Sequence, residues 1–199
     1  ALPISAQLRL AIDYGAGRAA VEGDAPALIV VATPPDVVAD VVERELRAYP
    51  DAVVTDVASV KLDPLQELRG RGVDLTHYIG SHPMAGRERG GEIAARADIF
   101  VGRPWVVCRD EETPAPDLAL VEGLALDLGA TPIEMTPEEH DRAVALVSHV
   151  PQLVASLLAG RFVDAADDFL RLAGQGVRDT TRIAASAPEL WVQILGANA

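Results

Sequence analysis

Apolar positions along the chain follow two rhythms. From Ser5 to Tyr14 (SAQLRLAIDY) they recur three and four apart, which predicts a helix, and Gly15 and Gly17 end it as C-cap glycines do. ALIVVAT (27–33) is one continuous β-rich run, the pattern of a strand buried on both faces, and Pro34 and Pro35 stop it. The alternation continues with a helix over Asp36 to Tyr49, a buried strand AVVTDV (52–57), a helix over Leu62 to Arg71 and a strand THYIGSH (76–82). WVVC (105–108) predicts a fourth strand, Asp117 to Leu128 a helix and TPIEM (131–135) a short fifth strand. Strands alternating with helices of this length predict βαβ units, a mostly parallel sheet and an α/β layer fold.

The rhythm changes near Thr136. TPEEHDRAVALVSHVPQLVASLLAG opens with a capping box, Thr136 to Glu139, with Pro137 in the first turn. About 24 residues follow, roughly 36 Å of helix, with Pro151 expected to kink it. Beyond Gly160 the pattern is helical throughout, with a second expected capping box at Ser186–Glu189 leading into LWVQIL. The chain therefore divides near 135 into an α/β part (1–135) and an all-α part (136–199), with no internal repeat or low-complexity tract.

Composition narrows the chemistry. The chain is 49% hydrophobic but 4% aromatic, so its core is built of Ala, Val, Leu and Ile. A net charge of -13 disfavours nucleic acid, which needs a basic face. A single cysteine, Cys108, excludes an internal disulfide and a cysteine metal cluster, and its place in WVVC predicts a buried thiol. No apolar run of about 18 residues and no signal peptide is read from the sequence, so a soluble cytoplasmic protein with no membrane partner is expected.

Parallel sheets bind ligands at the carboxyl ends of their strands. Three such ends carry notable residues: Thr33-Pro34-Pro35, the run Asp56 to Lys61, and Ser81-His82-Pro83. Thr33, Pro34, Pro35, Asp56 and Val57 are the candidate cofactor contacts. Imidazole ordinarily titrates near neutrality, so His82 suits acid–base work, with Ser59 on the neighbouring strand end placed to hold one of its ring nitrogens; a structural histidine and a serine that caps the next helix are the alternatives. In the helical part, Arg178 and Arg182 lie four apart on one helix face, an expected anion site; exposed pairing with Asp179 or Glu189 is the alternative. Trp191 and His149 suit a plain core role, and for His149 the alternative is a polar side chain aimed inward by the Pro151 kink. A nucleotide-binding sheet normally opens with a GxGxxG turn; GAG at 15–17 follows a helix and lacks the third glycine, so it is not that loop. Segments beyond both ends are therefore expected.

Four segments together resemble the prephenate/arogenate dehydrogenase family of tyrosine biosynthesis: TDVASVK, SHPMAGRERGG, EEHDRAVALVSHVPQ and GQGVRDTTRIAASAPELW. They follow in the family's order over about residues 27–199. The resemblance implies a partial doubly wound, Rossmann-like NAD(P)-binding domain, then a helical dimerisation domain, with the active site between them. It casts His82 as the residue that takes the proton of the substrate's ring hydroxyl. Ser59 would orient that histidine, Arg182 bind a carboxylate, Glu88 gate the pocket and Trp191 line it. The cofactor is NAD or NADP, the substrate prephenate or arogenate, and the assembly a homodimer, with tyrosine a possible feedback inhibitor. Gln152 stands where many prephenate-using members have a second histidine, which leaves arogenate open. Two other readings are a β-hydroxyacid dehydrogenase and a non-catalytic metabolite sensor. The first expects a catalytic lysine on the long helix, whereas the one lysine is Lys61.

Overall fold

The computed structural model describes residues 6–86, 96–109 and 112–199. Helix α1 (Ala6–Asp13) precedes strand β1 (Leu28–Val31), and a 3-10 turn over Pro35–Val37 leads into α2 (Val38–Ala48). Strand β2 (Val53–Asp56), α3 (Leu62–Gly70), β3 (Tyr78–Pro83), β4 (Pro104–Cys108), α4 (Ala115–Asp127) and β5 (Thr131–Met135) complete the sheet region. The strands lie in sequence order, β1-β2-β3-β4-β5. All pairings are parallel except β3 with β4, which run antiparallel. The fold is the expected Rossmann-like α/β layer structure followed by helices.

Strand periodicity explains the layers. Successive side chains on a strand point to opposite faces. Val54 and Tyr78 join Val38, Val42 and Leu68 of α2 and α3 in one core. Their neighbours Val53 and Ile79 join Trp105, Val107, Val121 and Ala125 in the other, beneath α4. Burial on both faces is why Val53-Val54 and Tyr78-Ile79 are apolar at successive positions. Gly129, at φ +76° just after α4, supplies the left-handed turn that sends the chain back into β5. The third strand starts two residues later than expected, because the Asp74 carboxylate accepts from the Thr76 backbone and hydroxyl and folds Thr76 into a turn.

The long helix forms as α5 (Pro137–Val144), a π-helical turn (Ala145–His149) and α6 (Val150–Gly160). Proline lacks an N–H and crowds the carbonyl four residues back. Here the widened turn just before Pro151 absorbs that conflict, in the way π-bulges relieve helices. The Thr136–Glu139 capping box is present, with both reciprocal bonds made. The second one is not: Ala187 occupies the N-cap of α9 (Pro188–Ala197), and the Ser186 hydroxyl donates backward to the Ile183 carbonyl. Before it come α7 (Asp167–Leu170), α8 (Gln175–Thr181) and a 3-10 turn over Arg182–Ala185.

One expectation from the sequence is corrected here. The helix Pro137–Gly160 is, by length and composition, long and apolar enough to cross a membrane, with a mean hydropathy of 1.6 over its best window. Polar residues scattered over its first two thirds masked the run in the sequence. Those polar residues, His140, Asp141, His149 and Gln152, are buried. Leu146, Val147, Val150, Leu153, Val154 and Leu157 are exposed, and their spacing places them along one stripe.

Candidate active site

Two polar clusters sit at the carboxyl ends of β2 and β3. The first is closed. Lys61 is 2% exposed and ion-paired with Asp56, which is fully buried. Its ammonium also donates to the Ser81 carbonyl at 2.7 Å. Asp56 further accepts from the Tyr78 hydroxyl at 2.7 Å and the Ala58 backbone at 2.9 Å. Thr55 and Ser81 hydroxyls complete the set, Ser81 donating to the Asp56 carbonyl at 2.8 Å. Burial, then the Asp56 charge, pushes the Tyr78 hydroxyl well above its ordinary pKa. Burial likewise pushes the Cys108 thiol up to about 12, so it stays protonated. Gly80 lets this cluster close: a Cβ there would lie 3.3 Å from Lys61 Cδ and 3.4 Å from the Asp56 carboxylate. A cavity of about 160 Å³ beside the pair is lined by Lys61, Tyr78, Gly80, Cys108 and Thr136, among others, and His82 is not in its lining.

The second cluster is a chain. His82, half-buried near the end of β3, places Nδ1 2.8 Å from His140 Nε2. The two rings meet edge to face at 5.1 Å. His140, fully buried on α5, places Nδ1 2.7 Å from the Asp141 carboxylate. Asp141 also accepts the backbone N–H groups of Lys61 and Leu62, each at 2.9 Å, and so caps the first turn of α3. The Asn198 amide donates to the Asp141 carbonyl at 2.9 Å and lies 3.1 Å from His149 Nδ1. Burial alone raises the Asp141 carboxyl, but the bonds from His140, Leu62 and Lys61 together outweigh it and hold it below its ordinary value. His82 is shifted well below the usual imidazole value, first by burial and then by the Lys61 ammonium and the neighbouring His140 and His149. His149 is lowered too, by burial first, with Asp141 opposing.

Several expected residues are placed differently. Among the described residues, the ring partner of His82 is His140 and not Ser59, which lies half-buried just past β2. Helix α5 reaches the Nδ1 side of the ring that a serine was expected to hold. The Asp56 carboxylate, an expected cofactor contact, is occupied by Lys61, Tyr78 and the Ala58 backbone. Val57 donates its backbone N–H to Val31 and packs against the second core. Thr33 fits a ligand better: its hydroxyl is buried with no partner among the described residues. Pro35 opens the 3-10 turn beside it, and Pro34 is exposed. His149 and Trp191 meet edge to face at 6.0 Å. Gln152 is buried and donates to Ser156 at 3.2 Å. Arg178 on α8 and Arg182 at the following turn are exposed, on segments that pack against α6. Asp179, the expected surface partner, accepts from Gln175. Glu88 lies outside the described residues.

His140, Asp141 and Asn198 carried no assignment from sequence. The available signal was His-Asp directly after a capping box, two ionisable residues at positions whose helical neighbour Val144 faces the core.

Comparison with known proteins bears on this arrangement. Residues 3–134 match the model of the prephenate dehydrogenase nucleotide-binding domain, and residues 136–199 that of the prephenate dehydrogenase dimerization domain. A probable prephenate dehydrogenase of Streptomyces niveus is 37% identical over 193 residues, 96% of this chain and 53% of that protein. A cyclohexadienyl dehydrogenase of Zymomonas mobilis is 32% identical over 155 residues, 75% and 52% of the two chains. The chain thus spans about half the length of the curated relatives it matches. Among solved structures, the prephenate dehydrogenase of A. aeolicus in complex with hydroxyphenyl propionate and NAD+ superposes with a TM-score of 0.85 at 26% identity, covering 96% of this chain and 70% of that one. Arogenate dehydrogenase of Synechocystis gives 0.69 at 33% identity, covering 86% and 63%.

Proposed function

The chain belongs to the prephenate dehydrogenase family, and on that premise we propose that this protein oxidatively decarboxylates prephenate or arogenate with NAD or NADP as acceptor. The observation that carries the reading is His82. Its Nδ1 is engaged by His140, while its Nε2 has no partner among the described residues and sits at the carboxyl edge of a Rossmann-like sheet.

His82 accepts the proton of the substrate's ring hydroxyl as hydride leaves the same carbon. The bond to the departing carboxylate breaks, CO2 leaves, and that electron pair restores the aromatic ring. A nicotinamide, when bound, supplies the hydride acceptor. The residues suited to holding it are Thr33, with its unpartnered buried hydroxyl, Pro34, Pro35 and Val57 at the neighbouring strand ends. Because aromatisation drives the step, a weak, well-aligned base suffices. Ser59 then faces substrate and cofactor rather than the ring of His82. Arg182 binds a substrate carboxylate, from the same chain or across a subunit boundary, with Arg178 supporting the positive field. Gln152, His149, Trp191 and Glu88 line the pocket, and the neutral Gln152 suits either a keto-acid or an amino-acid side chain. The division at residue 135 is read as a domain boundary. The apolar stripe of the long helix is read as the face of a homodimer, in a cytoplasmic protein.

The test is an assay of the full-length protein with prephenate and arogenate, each with NAD and NADP. Turnover of one pair, abolished in His82→Asn, supports the reading. Unchanged turnover in His82→Asn sinks the role of His82. A protein that binds tyrosine and turns over neither substrate is a sensor, not this enzyme.

A further inference from the structure

The proton acceptor is held by a second histidine and a carboxylate from the helical segment, 58 residues away in sequence. We propose that His140 and Asp141 are positioning residues that fix the tautomer of His82, so that its lone pair is on Nε2. This rests on the reading of His82 as the base.

A carboxylate only accepts, so His140 Nδ1, 2.7 Å from Asp141, carries its proton. A neutral His140 then has its lone pair on Nε2. That nitrogen is 2.8 Å from His82 Nδ1, so His82 is the donor there. Neutral His82 is left with a bare Nε2, the ring nitrogen with no hydrogen-bond partner among the described residues. Without the two partners either His82 nitrogen could hold the proton, and in one of the two tautomers Nε2 is blocked. The orienting carboxylate of a Ser-His-Asp triad acts by the same logic.

Asp141 is itself fixed. Its two oxygens take backbone N–H groups at the start of α3, which keeps the carboxylate ionised and stops it from rotating. A positive charge gained by His82 during the reaction is partly offset through His140 by this anion. The base is therefore configured only when α5 is seated against the α3 and β4 side of the sheet. The charged and titratable groups around it are Lys61 with Asp56 under the strand ends, His140 and Asp141 on α5, and His149 in the π-helical turn.

The experiment uses the full-length protein with ring-15N histidine, the variants Asp141→Asn, His140→Leu and His140→Gln, and steady-state kinetics across pH. In the resting wild type, His82 is expected to show a protonated Nδ1 and a bare Nε2, and Asp141→Asn a mixture of tautomers. His140→Leu should lower kcat ~10- to 100-fold with KM little changed. His140→Gln should recover part of it, since the amide oxygen still accepts from Nδ1. Loss of the Asp141 charge disfavours protonated His82, so the acid limb of kcat/KM should move to lower pH while the plateau falls. A proton on His82 Nε2 in the resting enzyme, as a doubly protonated His140 would impose, overturns the proposal. So does a folded His140→Leu with wild-type kcat and pH profile. If neither prephenate nor arogenate is turned over, the proposed function fails, and the nitrogen shifts still decide the tautomer.

Discussion

Two buried polar clusters lie side by side at the same strand ends, and they differ in one respect. In the Asp56–Lys61 cluster the two charges are matched inside the fold: the ammonium by a carboxylate and a carbonyl, the carboxylate by an ammonium, a phenol and a backbone amide. The His82–His140–Asp141 chain is satisfied at every link but the last, where Nε2 of His82 is left over. Burial of charge is therefore not what separates chemistry from support here. An open valence at the end of an otherwise complete chain is. The single lysine, the most conspicuous residue by composition, belongs to the support.

The sharpest way to break this comparison is to remove one member from each cluster. His82→Asn should lower turnover ~10²- to 10⁴-fold, the range for a positioned base, while the thermal midpoint changes little. Lys61→Met should do the reverse. It strands a buried carboxylate and should cost about 3–5 kcal/mol in a denaturant titration, with turnover per folded molecule largely kept. Adding Asp56→Asn to Lys61→Met should restore part of that loss. If Lys61→Met instead leaves stability intact and abolishes turnover, the two clusters are one site and the distinction fails.

Asp141 tests the border between them, because it serves His140 with one oxygen and the cap of α3 with both. Its carboxyl is held below the ordinary value in the fold. A depressed carboxyl stabilises the fold fully above its unfolded pKa of about 4, and that contribution is lost as pH falls through the lower folded value. Asp141→Asn should therefore cost about 2–3 kcal/mol at neutral pH, as for hydrogen bonds to a charged group. The gap from wild type should close in acid unfolding curves as the pH falls below 4. A gap that stays constant with pH would mean the carboxylate's charge contributes nothing.

The sequence made much of this readable, and the limits have physical causes. Short β-rich segments between helical stretches located all five strands, most plainly the apolar runs ALIVVAT and WVVC, because central strands bury most of their side chains. His82 stood out because a polar side chain at a strand's carboxyl end is where such sheets bind ligands. The antiparallel β3–β4 pairing was not legible, since local periodicity is the same for either direction. Nor was the replacement of Ser59 by His140 as the ring's partner. That contact joins residues 58 apart, and only the docking of α5 on the sheet decides it. The ion pair of Asp56 was hidden for a related reason: strand-end position marks reach to a ligand, but says nothing of a lysine five residues on that folds back onto it. The long helix escaped as an apolar span because His140, Asp141, His149 and Gln152 interrupt the run, and these are buried while the apolar stripe from Leu146 to Leu157 is exposed.

The smallest effect tests how α5 is held. Both Thr136–Glu139 and Ser186–Glu189 read as capping boxes, yet only the first forms. In the second, the serine hydroxyl is diverted to the Ile183 carbonyl of the preceding 3-10 turn, so it closes one helix rather than opening the next. Thr136→Ala should cost ~1 kcal/mol, as for a lost N-cap. Ser186→Ala should cost about 0.5 kcal/mol, the low end for one exchangeable hydrogen bond. The cap also starts the turn that delivers His140, four residues on from Thr136 and bonded to its carbonyl. If the sheet and the α3 cap hold α5 by themselves, Thr136→Ala leaves kcat within about twofold of wild type. A larger loss of kcat with the stability change still near 1 kcal/mol would place the capping box among the groups that aim the histidine pair.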